Sequence, residues 1–149
     1  MKIPAVSVLV PVYNVSKYIE RCAHSLFQQT FDDIEYVFVN DCSPDDSIKK
    51  LQKVIEQYPN RKKRVQIIHH DKNRGASVSR NTCLENSTGK YIQFIDSDDW
   101  IESDMIETMY NKAETESADI VVCDFVIEKA NTKEFCRDFV PLHQEEYFL

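Results

Sequence analysis

Glycine is scarce in this chain, which has only two among its 149 residues. Rossmann dinucleotide sites and phosphate-binding loops need several glycines in the turn after the first strand. The corresponding turn here is Pro-Val-Tyr-Asn at residues 11–14, with no glycine. This absence excludes both kinds of site, and it counts against nucleotidyltransferases that hold a triphosphate on a glycine-rich loop.

Long apolar runs, paired cysteines and basic stripes are missing too. The apolar run at residues 5–12 is interrupted by a proline and followed by no small-residue cleavage site, so we expect neither a signal peptide nor a membrane span. The five cysteines show no close pairing, and they are expected to be free, buried thiols in a reducing compartment. The net charge of −7 argues against a nucleic-acid partner. The basic cluster at residues 61–64 is expected to be a solvated loop.

Apolar runs alternate with amphipathic patterns along the chain. The runs predict five strands, at residues 6–12, 34–39, 65–68, 91–95 and 120–123. The segments between them carry apolar residues at spacings of three and four, which predicts helices with one buried face. Ser16 and Ser43 are suitable N-caps for the first two helices. The alternation indicates an α/β fold, with a mostly parallel sheet covered by helices on both faces.

Three carboxylates crowd into residues 96–99, directly after the fourth apolar run. Asp96, Asp98 and Asp99 would repel one another unless a cation neutralises them. Oxygen ligands select hard ions such as Mg²⁺ or Mn²⁺, so a metal ion that carries phosphates is the expected partner. Alternatively, one Asp begins a turn and another caps the next helix, which accounts for one carboxylate but not easily for three.

Polar residues follow each predicted strand, and most of these positions include an acid. In parallel sheets, ligands bind beyond the carboxyl ends of the strands. Acids lie there after four of the five predicted strands, namely Asp41, Asp71, Asp96 and Asp124. Their mutual repulsion strengthens the expectation of a bound cation at this edge of the sheet.

The turn after the second strand resembles the start of a helix. Ser43 would be the N-cap, a proline takes the first helical position, and Asp45 and Asp46 lie in the first turn. We therefore expect these two acids to be structural. Asp41 precedes the cap, so its carboxylate is expected to remain free to accept a hydrogen bond from a ligand.

Four motifs in order resemble those of family 2 glycosyltransferases. They are VPVYN at residues 10–14, NDCSPDDS at 40–47, NRGA with SRN within 73–81, and DSDDW at 96–100. Phosphatases of the haloacid dehalogenase type also use two Asp at a strand end, but near the first strand. The resemblance covers about residues 3–125. It implies the nucleotide-sugar-binding part of a GT-A fold, which is Rossmann-like.

The resemblance implies roles for the matching residues. Tyr13 would lie against the nucleobase, Asp41 would accept the ring N–H of a uracil, and Asp96 would approach the ribose or metal-bound waters. Asp98 would bind the Mn²⁺ or Mg²⁺ that bridges the diphosphate, and Arg80 would be a cation for phosphate or base. From the residues alone, a half-buried Tyr13 and a solvated Arg80 remain alternatives. The full expected donor-binding set is Pro11, Tyr13, Asn14, Asp41, Asn73, Gly75, Arg80, Asp96 and Ser97, with Asp98 as the metal ligand.

The resemblance also implies the reaction. An acceptor hydroxyl attacks the anomeric carbon of a nucleoside-diphosphate sugar, with a UDP-sugar as the expected donor, and the configuration inverts. The acceptor would be a glycan or a lipid-linked sugar of a surface polysaccharide, in the cytoplasm or at the cytoplasmic face of a membrane. A general base must take the acceptor proton. In the family this base comes later in the chain than the position of Leu149. Residues 1–149 are therefore expected to be the donor part of the domain, and the acceptor part is expected to be truncated after about residues 126–149.

A non-catalytic module that binds a nucleotide sugar is the alternative function. Such a module would keep the donor site without transferring the sugar, whereas a longer reading frame with a further acid pair would favour the enzyme. A phosphatase is a more distant third possibility, and it would carry a labile phosphate on Asp96.

Overall fold

The computed structural model describes residues 3–129 and 132–136, which fall into two compact units that divide between Tyr110 and Asn111. The elements in chain order are β1 Val6–Val12, α1 Ile19–Phe27, β2 Ile34–Asn40, α2 Ser47–Glu56, α3 Pro59–Lys62, β3 Val65–His69, α4 Ala76–Glu85, β4 Tyr91–Phe94, α5 Met105–Glu116, β5 Phe125–Lys129 and β6 Thr132–Cys136. None of the helices within this part of the chain is long and apolar enough to cross a membrane.

The first unit is built on a four-stranded parallel sheet with the order β3-β2-β1-β4. The central strand β1 pairs with β2 on one side and with β4 on the other, so that Leu9 lies opposite both Val37 and Phe94. Central parallel strands are buried on both faces, which is why β1 and β2 read as almost continuous apolar runs. The predicted parallel α/β sheet is confirmed.

Helices cover both faces of this sheet. On one face Val8 and Val10 of β1 pack in a core with residues of α1 and α2, including Leu26 and Leu51. On the other face Leu9, Val37 and Val39 pack against Cys83 of α4. The alternation of side chains along each strand therefore sends neighbouring residues into two different cores. The carboxyl ends of the strands are left uncovered for a ligand.

The two predicted helix caps are wrong. Helix α1 begins at Ile19 rather than next to Ser16, and α2 begins at Ser47 rather than after Ser43. Instead, both serines bind Asp45, whose Oδ2 accepts the Ser16 N–H at 2.8 Å and whose Oδ1 accepts the Ser43 hydroxyl at 2.7 Å. A contact between two loops has replaced two local caps. The structural role expected of Asp45 is confirmed.

Hydrogen bonds to Asp45 also control its ionisation. Burial by itself would raise the pKa of this carboxyl group. Hydrogen bonds from the Ser47 and Ser43 hydroxyls and from the backbone N–H groups of Ser16 and Ser47 outweigh that cost, so the pKa lies well below its usual value. Asp45 is therefore a permanent anion that joins the β1–α1 loop to the β2–α2 loop.

The predicted fifth strand, at residues 120–123, does not form. Ile120 is 81% exposed and Val122 is 53% exposed, and the segment has no strand pairing. An apolar run of four residues does not by itself distinguish a strand from irregular backbone. Strands β5 and β6 lie just beyond it as an antiparallel pair. Residues 137–149 lie outside the described part of the chain.

Burial of the cysteines is confirmed for two of the five. Cys22 and Cys83 are buried, Cys42 and Cys123 are exposed, and Cys136 is intermediate; all are free thiols, as expected. Burial, together with the nearby carboxylates of the acidic loop, raises the pKa of Cys22 to about 12. Cys42 differs because it follows the end of β2 rather than lying in an element of the core.

The basic cluster at residues 61–64 is not simply a solvated loop. The side chain of Arg61 is only 12% exposed, and its guanidinium reaches the end of α1 and the segment that follows it. It donates to the carbonyl oxygens of Phe27, Gln29 and Asp32 at 3.4, 2.6 and 3.2 Å. Phe27 is the last residue of α1, so its carbonyl is one that the end of a helix leaves without an intrahelical partner.

We expect Arg61→Ala to lower the free energy of unfolding by about 2 kcal/mol, because buried carbonyls lose charged donors. Urea denaturation measures this change. The matched control is Lys62→Ala, which removes an exposed ion pair with Glu56 and should cost less than about 1 kcal/mol. Equal losses in the two variants would contradict a structural role for Arg61.

Candidate functional site

The carboxyl ends of β1, β2 and β4 and the start of α4 surround a cavity of about 310 Å³. Nine of the ten residues predicted for donor and metal binding line it: Pro11, Tyr13, Asp41, Asn73, Gly75, Arg80, Asp96, Ser97 and Asp98. The tenth, Asn14, is not a lining residue. Four side chains that the sequence did not single out also line it: Val12, Val15, Ala76 and Ser79.

The backbone turns sharply at three places around this cavity. Asn14 after β1, Cys42 after β2 and Gly75 before α4 have φ angles of 55°, 56° and 88°. Such left-handed conformations favour glycine and are uncommon for other residues, and they recur at binding sites. Gly75 adopts such an angle without strain because it has no side chain. Asn14 serves the turn instead of the cavity, since its N–H donates to Ser43 Oγ at 2.8 Å.

The sequence predicts a free carboxylate at Asp41, but in the structure this carboxylate accepts three hydrogen bonds. Asp41 is 3% exposed. Its Oδ1 accepts one hydrogen bond from Nδ1 of His70 at 2.7 Å and another from the Arg74 N–H at 2.8 Å. Oδ2 accepts the Gly75 N–H at 2.8 Å. Burial alone would raise the pKa of Asp41, but the hydrogen bonds from His70, Arg74 and Gly75 outweigh it and lower the pKa. A carboxylate oxygen accepts more than one hydrogen bond, so Oδ2 retains capacity toward the cavity.

His70 is a residue that sequence reasoning missed. Its side chain is 5% exposed, with Nδ1 bound to Asp41 and Nε2 lying 3.0 Å from the Thr82 hydroxyl on α4. With Asp41 ionised, Nδ1–H of His70 is the donor to the carboxylate, and Nε2 is within hydrogen-bonding distance of Thr82. The available signal was a polar residue directly after a strand, but its two partners are visible only in the fold.

The acidic loop at residues 96–99 is partly neutralised by the protein itself. Nη2 of Arg80 lies 2.6 Å from Oδ1 of Asp96, with both side chains about half exposed. Asp98 lines the cavity, and Asp99 does not. Partial burial, followed by the charges of Asp98 and Asp96, raises the pKa of Asp99. The expected repulsion among three carboxylates is therefore real for Asp98 and Asp99, whereas Arg80 offsets Asp96.

Side chains of helix α1 contact the backbone of this acidic loop and of the residues that follow it. The Cys22 thiol lies 3.8 Å from the carbonyl oxygen of Asp96, and the Ser25 hydroxyl accepts the Ile101 N–H at 3.2 Å. Just after the end of α1, Gln29 donates to the Glu102 carbonyl at 2.7 Å and accepts the Ile106 N–H at 3.0 Å. Helix α1 and Gln29 thus contact the backbone from Asp96 to Ile106.

A metal ion at Asp98 fits the oxygen chemistry of this edge. Mg²⁺ and Mn²⁺ in phosphate sites take one or two carboxylates and fill their remaining positions with phosphate oxygens and water. Among residues 3–129 and 132–136, no three His, Cys, Asp or Glu side chains converge into a metal cage. Asp98 lines the cavity and has the carboxylate chemistry that such an ion requires.

Residues 7–146 match the sequence family described as Glycosyl transferase family 2. The chain belongs to glycosyl transferase family 2. The resemblance seen in its four motifs is thereby confirmed. Among its relatives, the putative glycosyltransferase EpsH of Bacillus subtilis is 41% identical over 147 residues, which is 98% of this chain and 41% of EpsH. The putative teichuronic acid biosynthesis glycosyltransferase TuaG of the same organism is 38% identical over 104 residues, or 70% of this chain and 40% of TuaG.

Two solved structures share the fold. The structure of Staphylococcus aureus TarS residues 1–349 in complex with UDP superposes with a TM-score of 0.69 at 29% identity, and covers 76% of this chain and 33% of that one. The Pyrobaculum calidifontis mannosyltransferase PcManGT in complex with GDP-Man and Mn²⁺ gives 0.61 at 26% identity, covering 67% and 29%. The predicted GT-A fold is confirmed. The chain spans about two fifths of the length of EpsH and TuaG.

Proposed function

We propose that this family 2 chain is the donor-binding part of a metal-dependent, inverting glycosyltransferase that uses a UDP-sugar. The observation that carries the proposal is that nine of the ten residues predicted for donor and metal binding line one cavity at the carboxyl edge of the sheet. They lie up to 87 positions apart in the chain, from Pro11 to Asp98, so the fold brings them together. The likeness to TarS, whose structure holds UDP, supports the choice of nucleotide.

The cavity offers a different kind of contact at each end. At one end Tyr13 is 46% exposed and presents a ring on which a base can stack, while buried Asp41 can accept a base N–H. At the other end lie Arg80, Asp96 and Asp98, which suit phosphates and a divalent ion. A nucleoside diphosphate matches this arrangement, because it has a flat base at one end and negative charge at the other.

The reaction proposed for this site is direct displacement at the anomeric carbon. An acceptor hydroxyl attacks this carbon, the bond to the diphosphate breaks, UDP leaves with the electron pair, and a general base takes the hydroxyl proton. Asp98 would hold Mn²⁺ or Mg²⁺ against the diphosphate, where the ion stabilises charge on the leaving group. Arg80 supplies a further positive charge near the same place. No covalent enzyme intermediate is needed, and we assign no general base among residues 3–129 and 132–136.

The acceptor in this proposal is a glycan or a lipid-linked sugar. Relatives with names that refer to polysaccharide synthesis, such as TuaG, support a role in making a surface polysaccharide. The nucleotide sugar and such acceptors would meet in the cytoplasm or at the cytoplasmic face of a membrane.

Calorimetric titration of UDP into the chain with Mn²⁺ tests the donor site. We expect saturable binding of one UDP, with affinity at least about tenfold higher than for CDP, because cytosine lacks the ring N–H that Asp41 accepts. Addition of EDTA should weaken the binding. Equal affinity for UDP and CDP would contradict the role of Asp41, and absence of UDP binding by the folded chain would contradict the proposed donor site.

A further inference from the structure

The hydroxyl of Ser79 is buried in the wall of the cavity without a partner. Ser79 is 0% exposed, and within the described part of the chain its Oγ has no hydrogen-bonding partner. Buried hydroxyl groups are normally satisfied, and one that is not carries a desolvation cost. Ser79 is also one of the residues that line the cavity. An unsatisfied polar atom at a binding cavity calls for a partner from the ligand.

The usual local partner of a helical serine is not used here. Serine hydroxyls inside helices often donate to the carbonyl oxygen four residues earlier. For Ser79 that residue is Gly75, whose carbonyl accepts the Ser79 backbone N–H at 3.0 Å, and no bond from the hydroxyl accompanies it. Ser7 offers a contrast, because it is equally buried but its hydroxyl donates to Glu35 and accepts the Gly89 N–H. Of these two buried serines, only the one that lines the cavity therefore has an unsatisfied hydroxyl group.

Ser79 lies one helical turn from the residue at the start of α4 that binds Asp41. On α4, Ser79 and Cys83 are the buried residues, and Cys83 packs against Leu9 of β1 and against Val37 and Val39 of β2. Gly75, one turn before Ser79, donates its N–H to Asp41. The next residue, Arg80, turns the other way and pairs with Asp96. Ser79 and Asp41 thus share the side of the cavity that we assign to the base.

We propose that the Ser79 hydroxyl donates a hydrogen bond to a carbonyl oxygen of the nucleobase, next to the N–H that Asp41 accepts. This inference rests on the proposed donor site and adds a specificity-determining residue to it. A uracil edge presents a ring N–H between two carbonyl groups, so a carboxylate and a hydroxyl side by side match it in donor and acceptor order. The ligand then satisfies a hydroxyl that is unsatisfied in the free protein.

The test is Ser79→Ala, for which stability and affinity should change in opposite directions. Removing an unsatisfied buried hydroxyl should raise the thermal midpoint of the free chain by about 2–4 °C. Removing a hydrogen bond to the base should weaken UDP binding by about threefold to tenfold. Calorimetric titration and thermal unfolding measure the two effects. The matched control is Ser7→Ala, which breaks satisfied hydrogen bonds far from the cavity and should lower the midpoint without changing UDP affinity.

The outcomes separate this inference from the donor site itself. If wild-type protein fails to bind UDP, the proposed function is wrong and the Ser79 proposal is overturned with it. If wild-type and Ser79→Ala proteins bind UDP equally well, the donor site stands and Ser79 plays no part in it. Competition with uridine adds a further check, because a loss seen with UDP but not with uridine would overturn the assignment of Ser79 to the base.

Discussion

Asp98→Asn should weaken UDP binding in the presence of Mn²⁺ by roughly 100-fold, which corresponds to about 2.7 kcal/mol. Asparagine has nearly the same shape as aspartate but no charge, so it is a far poorer ligand for a hard divalent ion. Asp98 is the acid of the 96–99 loop that lines the cavity without being paired to Arg80. With EDTA present, the wild type and the variant should bind UDP with similar, weak affinity.

The matched control for Asp98 is Asp71→Asn. Asp71 also follows a strand, is exposed, and is not a lining residue of the cavity. It carries the same charge, so the two variants separate a local ligand from a general effect of net charge. A comparable loss in both variants, or wild-type affinity in Asp98→Asn with Mn²⁺, would contradict the proposed metal ligand.

Asp41→Asn should lower the free energy of unfolding by about 2–3 kcal/mol and also weaken UDP binding by more than tenfold. The carboxylate accepts hydrogen bonds from His70, Arg74 and Gly75, and the amide of asparagine turns one acceptor atom into a donor. One N–H group would then face another in a buried site. The turn that leads into α4 would lose its anchor, and the base would lose its acceptor.

The stability effect of Asp41→Asn should depend on pH. Because the folded-state pKa of Asp41 is lowered, its contribution is present above the unfolded value of about 3.9, and it is lost as pH falls through the folded pKa. Urea denaturation at a series of pH values should show the gap between wild type and variant closing below about pH 4.

The control for Asp41 is Asp46→Asn. Asp46 is exposed and lies 3.9 Å from Lys50 in a surface ion pair, so this variant should cost less than about 1 kcal/mol at any pH. A gap that stays constant with pH would contradict the account of Asp41 as a buried anion held by His70.

The two central strands, β1 and β2, could be predicted from the sequence because they are buried on both faces. The limits of β1, Val6–Val12, match the prediction, and those of β2 and β3 differ by one residue. A continuous apolar run is the direct signature of such a strand. The same rule failed at residues 120–123, where Ile120 and Val122 are largely exposed, because a short run says nothing about whether a neighbour is available to cover it.

The candidate site could be located from the sequence because parallel strands place their carboxyl ends at one edge. Tyr13, Asp41 and Asp98 follow three different strands, and all three line the cavity. Membership of the cavity does not reveal what each side chain contacts. Asn14 belongs to one of the motifs, and its backbone N–H donates to Ser43 in the turn after β1. Ser43, which the sequence predicts as a helix cap, instead binds Asp45.

The sequence by itself determined the parallel α/β arrangement, the family and the edge of the sheet where the site lies. These properties depend on local periodicity and on short motifs, both of which involve residues that are close together in the chain. The tertiary structure alone decided the pairing of Asp41 with His70, that of Arg80 with Asp96, and the unsatisfied hydroxyl of Ser79. The first two partners lie 29 and 16 positions apart. Contacts and unmet hydrogen bonds of this kind depend on how folded elements pack, so they follow from the three-dimensional arrangement and not from any local pattern.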